Sequence, residues 1–313
     1  MVIDNRDLKL TDKAIAAYWG LAVGDALGAT VEFMTPREIQ YQYGTHEIIR
    51  GGGWLRLKKG QVTDDTEMAL ALGKSILQEG RLNACSVAQH FDDWLKSKPV
   101  DMGQTVRRGI INFRRTGMTE VVESNDAGNG ACMRLLPVAL LTLGYSQTEI
   151  QAASRLQAHT THHNKLSDAA CETVIHIIQA ALFGADKVEL LHGPIADLIA
   201  QYPQFNFRKG SMDNPSGYII DTMHAVLQSF IDTNNFRDCL IDVVNRGGDA
   251  DTTGAIAGMI AGAYYGLPEI PDEWLSVIDP DIRACCRNQA MSILGLAISG
   301  TRLQQDRKME ASI

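Results

Sequence analysis

Two short acidic stretches carry the residues best suited to chemistry. The run Asn245-Arg246-Gly247-Gly248-Asp249-Ala250-Asp251-Thr252-Thr253-Gly254 crowds two carboxylates and two hydroxyls onto a glycine turn ahead of a small-residue helix expected over 255–266. Each carboxylate gains from lying at a helix N-terminus, but the pair repel one another. A hard divalent cation bound through oxygen resolves that conflict, and Asp and Thr oxygens suit Mg²⁺ or Mn²⁺. Taken alone, the stretch is equally well read as an acidic N-cap. A second acidic helix start far upstream, Thr63-Asp64-Asp65-Thr66, supplies enough further oxygens for one or two six-coordinate cations and favours the metal reading.

Other polar residues stand out against their surroundings. Asp25 sits in an otherwise apolar helix, where an unpaired carboxylate is costly, so a structural hydrogen-bonding role is expected of it. Glu32, between Val31 and Phe33, is expected to turn toward a polar centre. Asp64 with Glu67 has the spacing of a capping box, and Asp101 reads locally as the N-cap of the next helix. Ser124 to Ala131 is a polar glycine loop feeding a helix, a natural phosphate cradle that matches neither GxGxxG nor the P-loop pattern. His159, His162 and His163 have no accompanying HExxH or CxxC, which disfavours zinc. Locally they read as satisfied structural histidines, and functionally as contacts to a substrate hydroxyl or phosphate.

The elements that must position these residues are helical. Residues 14–28, after a Thr11 N-cap, have the spacing of a buried helix, and Gly20, Gly24 and Gly28 would let a neighbouring helix approach closely. Helices are also expected at 85–97, 133–143, 167–183, 187–201, 219–231 and 280–300, with polar tails at both ends. The best strand candidate is only 47–50. The chain is therefore expected to be a single all-α domain spanning 1–313, its core about 11–300, with many helix starts converging on one cleft.

Composition sets limits on function. Of 313 residues, 45% are hydrophobic, 21% charged and 6% aromatic, as in a globular protein. A net charge of −8 with no basic stripe argues against nucleic-acid binding. The six cysteines form no CxxC pair, which reads as reduced thiols in the cytoplasm. The polar N-terminus is not a signal peptide, and no apolar run is long enough to insert into a bilayer.

Three signatures now meet a known pattern. Gly24-Asp25-Ala26-Leu27-Gly28 with Glu32, then Thr63-Asp64-Asp65-Thr66, then Gly248-Asp249-Ala250-Asp251-Thr252 resemble those of the ADP-ribosylglycohydrolases, in the same order and over nearly the whole chain. Val31-Glu32-Phe33-Met34-Thr35-Pro36-Arg37-Glu38 and Gly51-Gly52-Gly53-Trp54-Leu55 are similar to the bacterial members that act on dinitrogenase reductase. The resemblance implies an orthogonal helical bundle with a binuclear Mn²⁺ or Mg²⁺ centre held by Thr63, Asp64, Asp65, Asp249, Asp251 and Thr252. It implies Asp101, Glu32 and Asp64 as catalytic groups, with Asp101 and Gln104 facing the ribose and the departing guanidinium. Gly128, Asn129, Gly130 and His162 would bind the diphosphate and nearby ribose, and Ser216, Gly217 and Tyr218 the adenosine.

The activity so implied is removal of ADP-ribose from a modified arginine, with dinitrogenase reductase as the expected substrate. A PII-type signalling protein is implied as a partner that could recruit a monomeric enzyme to the membrane. Alternatives keep the fold but change the target to ADP-ribosyl-serine, O-acetyl-ADP-ribose or a toxin-modified protein, as an immunity factor would. A non-catalytic ADP-ribose-binding member would have lost metal ligands, and here all six positions carry oxygen.

Overall fold

The structure is a computed structural model that describes residues 5–310. Its helices are α1 (Asn5–Gly28), α2 (Pro36–Tyr43), α3 (Asp64–Glu79), α4 (Ala84–Lys96), α5 (Gln104–Thr116), α6 (Leu136–Leu141), α7 (Gln147–Ala158), α8 (Lys165–Leu182), α9 (Lys187–Leu190), α10 (Ala196–Gln201), α11 (Ile219–Asp232), α12 (Phe236–Asn245), α13 (Ala250–Tyr265), α14 (Asp272–Leu275) and α15 (Pro280–Glu310). No strand forms among the described residues. Two isolated bridges, Gly52 with Leu57 and Gly128 with Tyr218, are the nearest approach to one. The protein is all-α, as expected; residues 47–50 form no strand, and Glu47 O instead accepts the Trp274 indole N–H at 2.8 Å.

α1 and α13 form the centre. A Cβ on Gly20 would lie 2.1 Å from Gly258 O, one on Gly24 2.0 Å from Gly254 O, and one on Gly28 2.1 Å from Ala250 O. Numbers rise along α1 as they fall along α13, so the two helices run antiparallel with their backbones in contact. The C-terminus of α1 therefore meets the N-terminus of α13. That single packing choice brings Asp25 and Glu32 beside Asp249 and Asp251. Around this pair one hydrophobic cluster runs from Ala14 to Ala297.

Local signals mostly fixed the helix ends. Ser146 and Glu149 form the expected capping box at α7. Some expectations fail for identifiable reasons. α1 already covers Asn5 to Leu10, with no Gly or Pro to break it, so Thr11 is inside the helix and not at its N-cap. The helix expected over 187–201 is broken by a π turn at Leu191–Ile195, where Gly193 leaves helical geometry ahead of Pro194. The polar residues expected as a C-terminal tail are helical through Glu310, and residues 1–4 and 311–313 lie outside the described residues.

Candidate metal and substrate cleft

The N-terminus of α3 is capped by a residue from a different helix. Thr63 holds the N-cap position but makes no side-chain cap of its own. Instead the Asp25 carboxylate accepts hydrogen bonds from Thr63 N (3.0 Å), Thr63 Oγ1 (2.9 Å), Thr66 N (3.1 Å) and Thr66 Oγ1. Asp25 is thus the structural acceptor expected from its apolar surroundings. Asp64 and Asp65 are thereby left out of the cap: Asp65 Oδ2 accepts from Thr63 Oγ1 at 3.1 Å, and Asp64 Oδ2 from Gly103 N at 3.4 Å. The Asp64/Glu67 capping box does not form, because Glu67 accepts the Trp94 indole N–H at 2.8 Å. Asp101 is not an N-cap either: α5 starts after Gly103, and Asp101 Oδ1 accepts Met102 N at 2.6 Å.

The D-x-D turn is clamped from two sides. Phe33 N donates to Gly248 O (2.7 Å) and Gly248 N to Met34 O (2.9 Å), tying the turn to the Glu32 segment. Asp249 N donates to Pro215 O at 2.8 Å. Gly248 has φ +63 and a Cβ there would sit 2.0 Å from Pro215 O, so both backbone and space require glycine. Across the cleft, Asn129 Nδ2 donates to Asp249 Oδ2 (2.6 Å) and to Thr222 Oγ1 (2.9 Å), while Asn129 N donates to Gly217 O at 3.0 Å.

The resulting cavity has a volume of about 390 Å³, in the range of a small-molecule site. Of the residues singled out from sequence, Glu32, Asp64, Asp101, Gln104, Gly128, Asn129, Gly130, His162, Gly217, Asp249, Asp251 and Thr252 line it. Thr63 and Asp65 are buried behind that wall, at 0% and 1% exposure. Ser216 and Tyr218 are not part of the lining: the Ser216 hydroxyl donates to Asp221 Oδ2 at 2.7 Å, and Tyr218 is exposed. Phe33 and Trp54 line the cleft without having been assigned a role from sequence, Asp126 comes from the polar glycine loop, and Trp54 Nε1 donates to Glu32 Oε2 at 2.7 Å. That last contact joins loops whose sequence carries no mark of their proximity.

The cleft concentrates negative charge. Carboxylate oxygens of Glu32, Asp101 and Asp251 lie within 4.8 Å of one another. Burial, then the neighbouring Asp101, Asp249 and Asp64 charges, push Glu32 up to about 8 against the Trp54 hydrogen bond. Burial, then Asp101 and Asp25, push Asp64 up to about 8. Burial and the surrounding acids also drive Asp65 and Asp251 well upward. Asp65 Oδ1 is buried with no hydrogen-bond partner, and no ion pair among the described residues reaches Asp64, Asp65, Asp249 or Asp251. An orphaned carboxylate oxygen inside an unbalanced acid cluster fits a divalent cation.

A pH dependence follows with a definite sign. Glu32 and Asp64 have folded-state values near 8, raised above an unfolded value of about 4. The folded state binds more protons between these limits, so stability falls as pH rises through the window. In chelator, the protein is expected to melt at a higher temperature at pH 5 than at pH 8, and saturating Mn²⁺ should shrink or reverse that difference. A chelated protein that gains stability from pH 5 to 8 would contradict the acid cluster as drawn.

Fold and cleft together define an all-α protein whose helix termini converge on an acidic cleft. The family model described as ADP-ribosylglycohydrolase matches residues 6–303. The chain is 49% identical over 289 residues (91% of this chain, 97% of the relative) to an ADP-ribosyl-[dinitrogen reductase] glycohydrolase of Rhodospirillum rubrum. It is 31% identical to the ADP-ribosylarginine hydrolase Tri1 of Pseudomonas putida (strain GB-1), over 85% of this chain and 74% of the relative. A solved structure named as an ADP-ribosylglycohydrolase-related protein complex superposes with a TM-score of 0.83 at 32% identity, covering 93% of this chain and 99% of that one. The chain belongs to the ADP-ribosylglycohydrolase family. Membership places it among metal-dependent hydrolases of ADP-ribosylated substrates. No helix of the described residues is long and apolar enough to cross a membrane.

Proposed function

We propose that this protein is an ADP-ribosylarginine hydrolase that uses two Mn²⁺ or Mg²⁺ ions and acts on modified dinitrogenase reductase, reversing a regulatory mono-ADP-ribosylation. The observation that carries this reading is the buried acid cluster with an orphaned Asp65 oxygen, set in a cleft beside a polar glycine loop. The relatives named for dinitrogen reductase and for ADP-ribosylarginine support the target. In this reading Thr63, Asp64, Asp65, Asp249, Asp251 and Thr252 hold the metals, with Glu32 beside them. Bound divalent ions there would supply Lewis-acid polarisation of the ribose hydroxyls and of water.

The chain's own groups do the rest. Breaking the N-glycosidic bond develops positive charge on the ribose and needs a proton for the departing guanidino nitrogen. Asp101, half-buried and raised first by burial and then by the Asp249 charge, stands at the cleft wall, where it can stabilise the first and carry the second. Of the Gly128-Asn129-Gly130 turn, the backbone N–H groups of Gly128 and Gly130 suit a diphosphate, Asn129 N being held by Gly217 O, with His162 behind them. Gly217 lies on the adenosine side, and Ser216 and Tyr218 reach the ligand only if the 216–218 segment turns inward. The continuous core from Ala14 to Ala297 supports one domain. Monomeric state, a cytoplasmic location and docking of a PII-type protein belong to the same reading.

ADP-ribose release from arginine-modified peptide, serine-modified peptide and modified dinitrogenase reductase, each with and without Mn²⁺, tests it. Mn²⁺-dependent release from arginine is expected, fastest from the reductase; release confined to serine would overturn the target. Asp101→Asn is expected to keep metal and ADP-ribose binding but lose rate by roughly 10²–10⁴-fold, the scale of general acid–base catalysis. A wild-type rate would remove Asp101 from the reaction.

A further inference from the structure

Arg134 is fully buried, and no carboxylate among the described residues accepts a hydrogen bond from it, although the Asp64 charge favours its protonated form. Its Nε donates to Gln157 Oε1 (3.0 Å), and its Nη2 donates to Gln157 O (2.9 Å) and Thr161 Oγ1 (2.8 Å). The guanidinium lies 4.4 Å over the Phe91 ring. Burial pulls it down to about 9, so it remains protonated at neutral pH. A buried cation hydrogen-bonded only to neutral acceptors is a costly way to brace a helix. One of those acceptors, Thr161, leads directly to the cleft: its Oγ1 is 2.8 Å from His162 Nδ1.

Proton directions along this chain follow from valence. A guanidinium only donates, so the Thr161 oxygen accepts from Arg134. Thr161 is 3% exposed, and its own proton requires an acceptor. His162 Nδ1 is the acceptor within reach. Were Nδ1 protonated instead, the threonine proton would be stranded in a dry site. Nδ1 therefore accepts, and the imidazole proton resides on Nε2. That nitrogen faces the glycine loop: a Cβ on Gly128 would lie 3.0 Å from it, and one on Gly130 3.1 Å.

We infer that Arg134 and Thr161 form a positioning relay that fixes His162 as a neutral Nε2–H donor, aimed from behind the glycine loop at an anionic oxygen of the bound substrate. Resting on the reading above, that oxygen belongs to the diphosphate of ADP-ribose. The charged groups facing His162 are Arg134 from the segment ahead of α6, Arg108 from α5 and Asp126 from the glycine loop. Burial first, and then Arg134, hold the imidazole down to about 3 despite Asp126. The donor is thus available without titration across the working range. The local sequence signal was a lone arginine in the apolar run 131–143.

Nitrogen-15 NMR of His162 in the free full-length protein reports the tautomer directly, whether or not ADP-ribose is the ligand. The expected result is protonation at Nε2 alone. In Thr161→Val the ring should show mixed tautomers, and the Kd for ADP-ribose should rise as the inverse of the remaining Nε2–H fraction, about twofold for an even mixture. Thr161→Ser should restore both. Protonation at Nδ1 in the wild type overturns the relay, and so does a folded Thr161→Val that melts lower but keeps the wild-type tautomer and affinity. If Thr161→Val does not fold, the wild-type spectrum and Thr161→Ser decide. An Nε2–H tautomer in a protein that binds no ADP-ribose would support the relay and sink the functional reading instead.

Discussion

Asp65→Asn is expected to abolish Mn²⁺-dependent turnover while raising the melting temperature of the metal-free protein. The two effects have opposite signs and one cause. Asp65 is 1% exposed, one of its oxygens has no partner, and Asp25, Asp64 and Asp249 all push against its charge. Without a cation the folded protein must either hold that charge or take up a proton that the unfolded chain would release at neutral pH. Folding is penalised both ways. Asparagine has the same shape and neither liability, so the metal-free variant should melt higher.

The gain disappears once metal is added. Wild-type protein is stabilised by a ligand that binds only the folded state, and a variant lacking this anion forgoes most of that stabilisation. Turnover should fall by at least roughly 10²–10³-fold, the scale for deleting one preorganised electrostatic group. Melting curves with chelator and with Mn²⁺, beside a single-turnover assay, measure all of this. Equal Mn²⁺ stabilisation of variant and wild type would remove Asp65 from the metal centre.

The second large effect concerns the frame. Gly24→Ala is expected to destabilise the protein by about 3 kcal/mol or more, at or beyond the usual upper end for overpacking. The added Cβ would lie 2.0 Å from Gly254 O and 2.4 Å from Gly254 C. Both are backbone atoms of α13, so no side chain can turn aside, and the helices must separate. Separation also shifts Asp25, the next residue on α1, and with it the cap of α3 and the positions of Asp64 and Asp65. Activity should therefore fall further than the unfolded fraction explains. Gly295→Ala in α15 is the control: its Cβ meets nothing within 4 Å. There, alanine's better helix propensity should add up to about 1 kcal/mol. Urea midpoints compare the two, and a Gly24→Ala protein as stable as wild type would contradict the close helix contact.

The acidic helix starts were legible because their signal is local. Thr63-Asp64-Asp65-Thr66 and Asp249-Ala250-Asp251-Thr252 declare oxygen-rich helix N-termini within four residues each, although either stretch alone reads equally well as an acidic cap. The every-fourth-residue glycines of α1 likewise announced a close helix neighbour, and hydrophobic periodicity announced an all-α chain. Asp25 was legible in part: its cost in an apolar helix showed that it must have a partner, though not which one.

What the sequence determined by itself, then, was the kind of element, the kind of chemistry and the need for partners. Which residues answer one another was decided only by tertiary structure. Asp25 caps a helix 38 positions away, and Asn129 orients Asp249 across 120. Asp101, an N-cap by its local pattern, became a cleft wall because α5 begins after Gly103. Ser216 and Tyr218 bracket Gly217, yet only Gly217 lines the cleft. The reason is physical. Periodicity and capping act over one or two turns of chain, whereas the direction of a side chain at a helix end depends on which backbone it is packed against. Here that was set by the glycine contact between α1 and α13, whose antiparallel course brings the distant acids together.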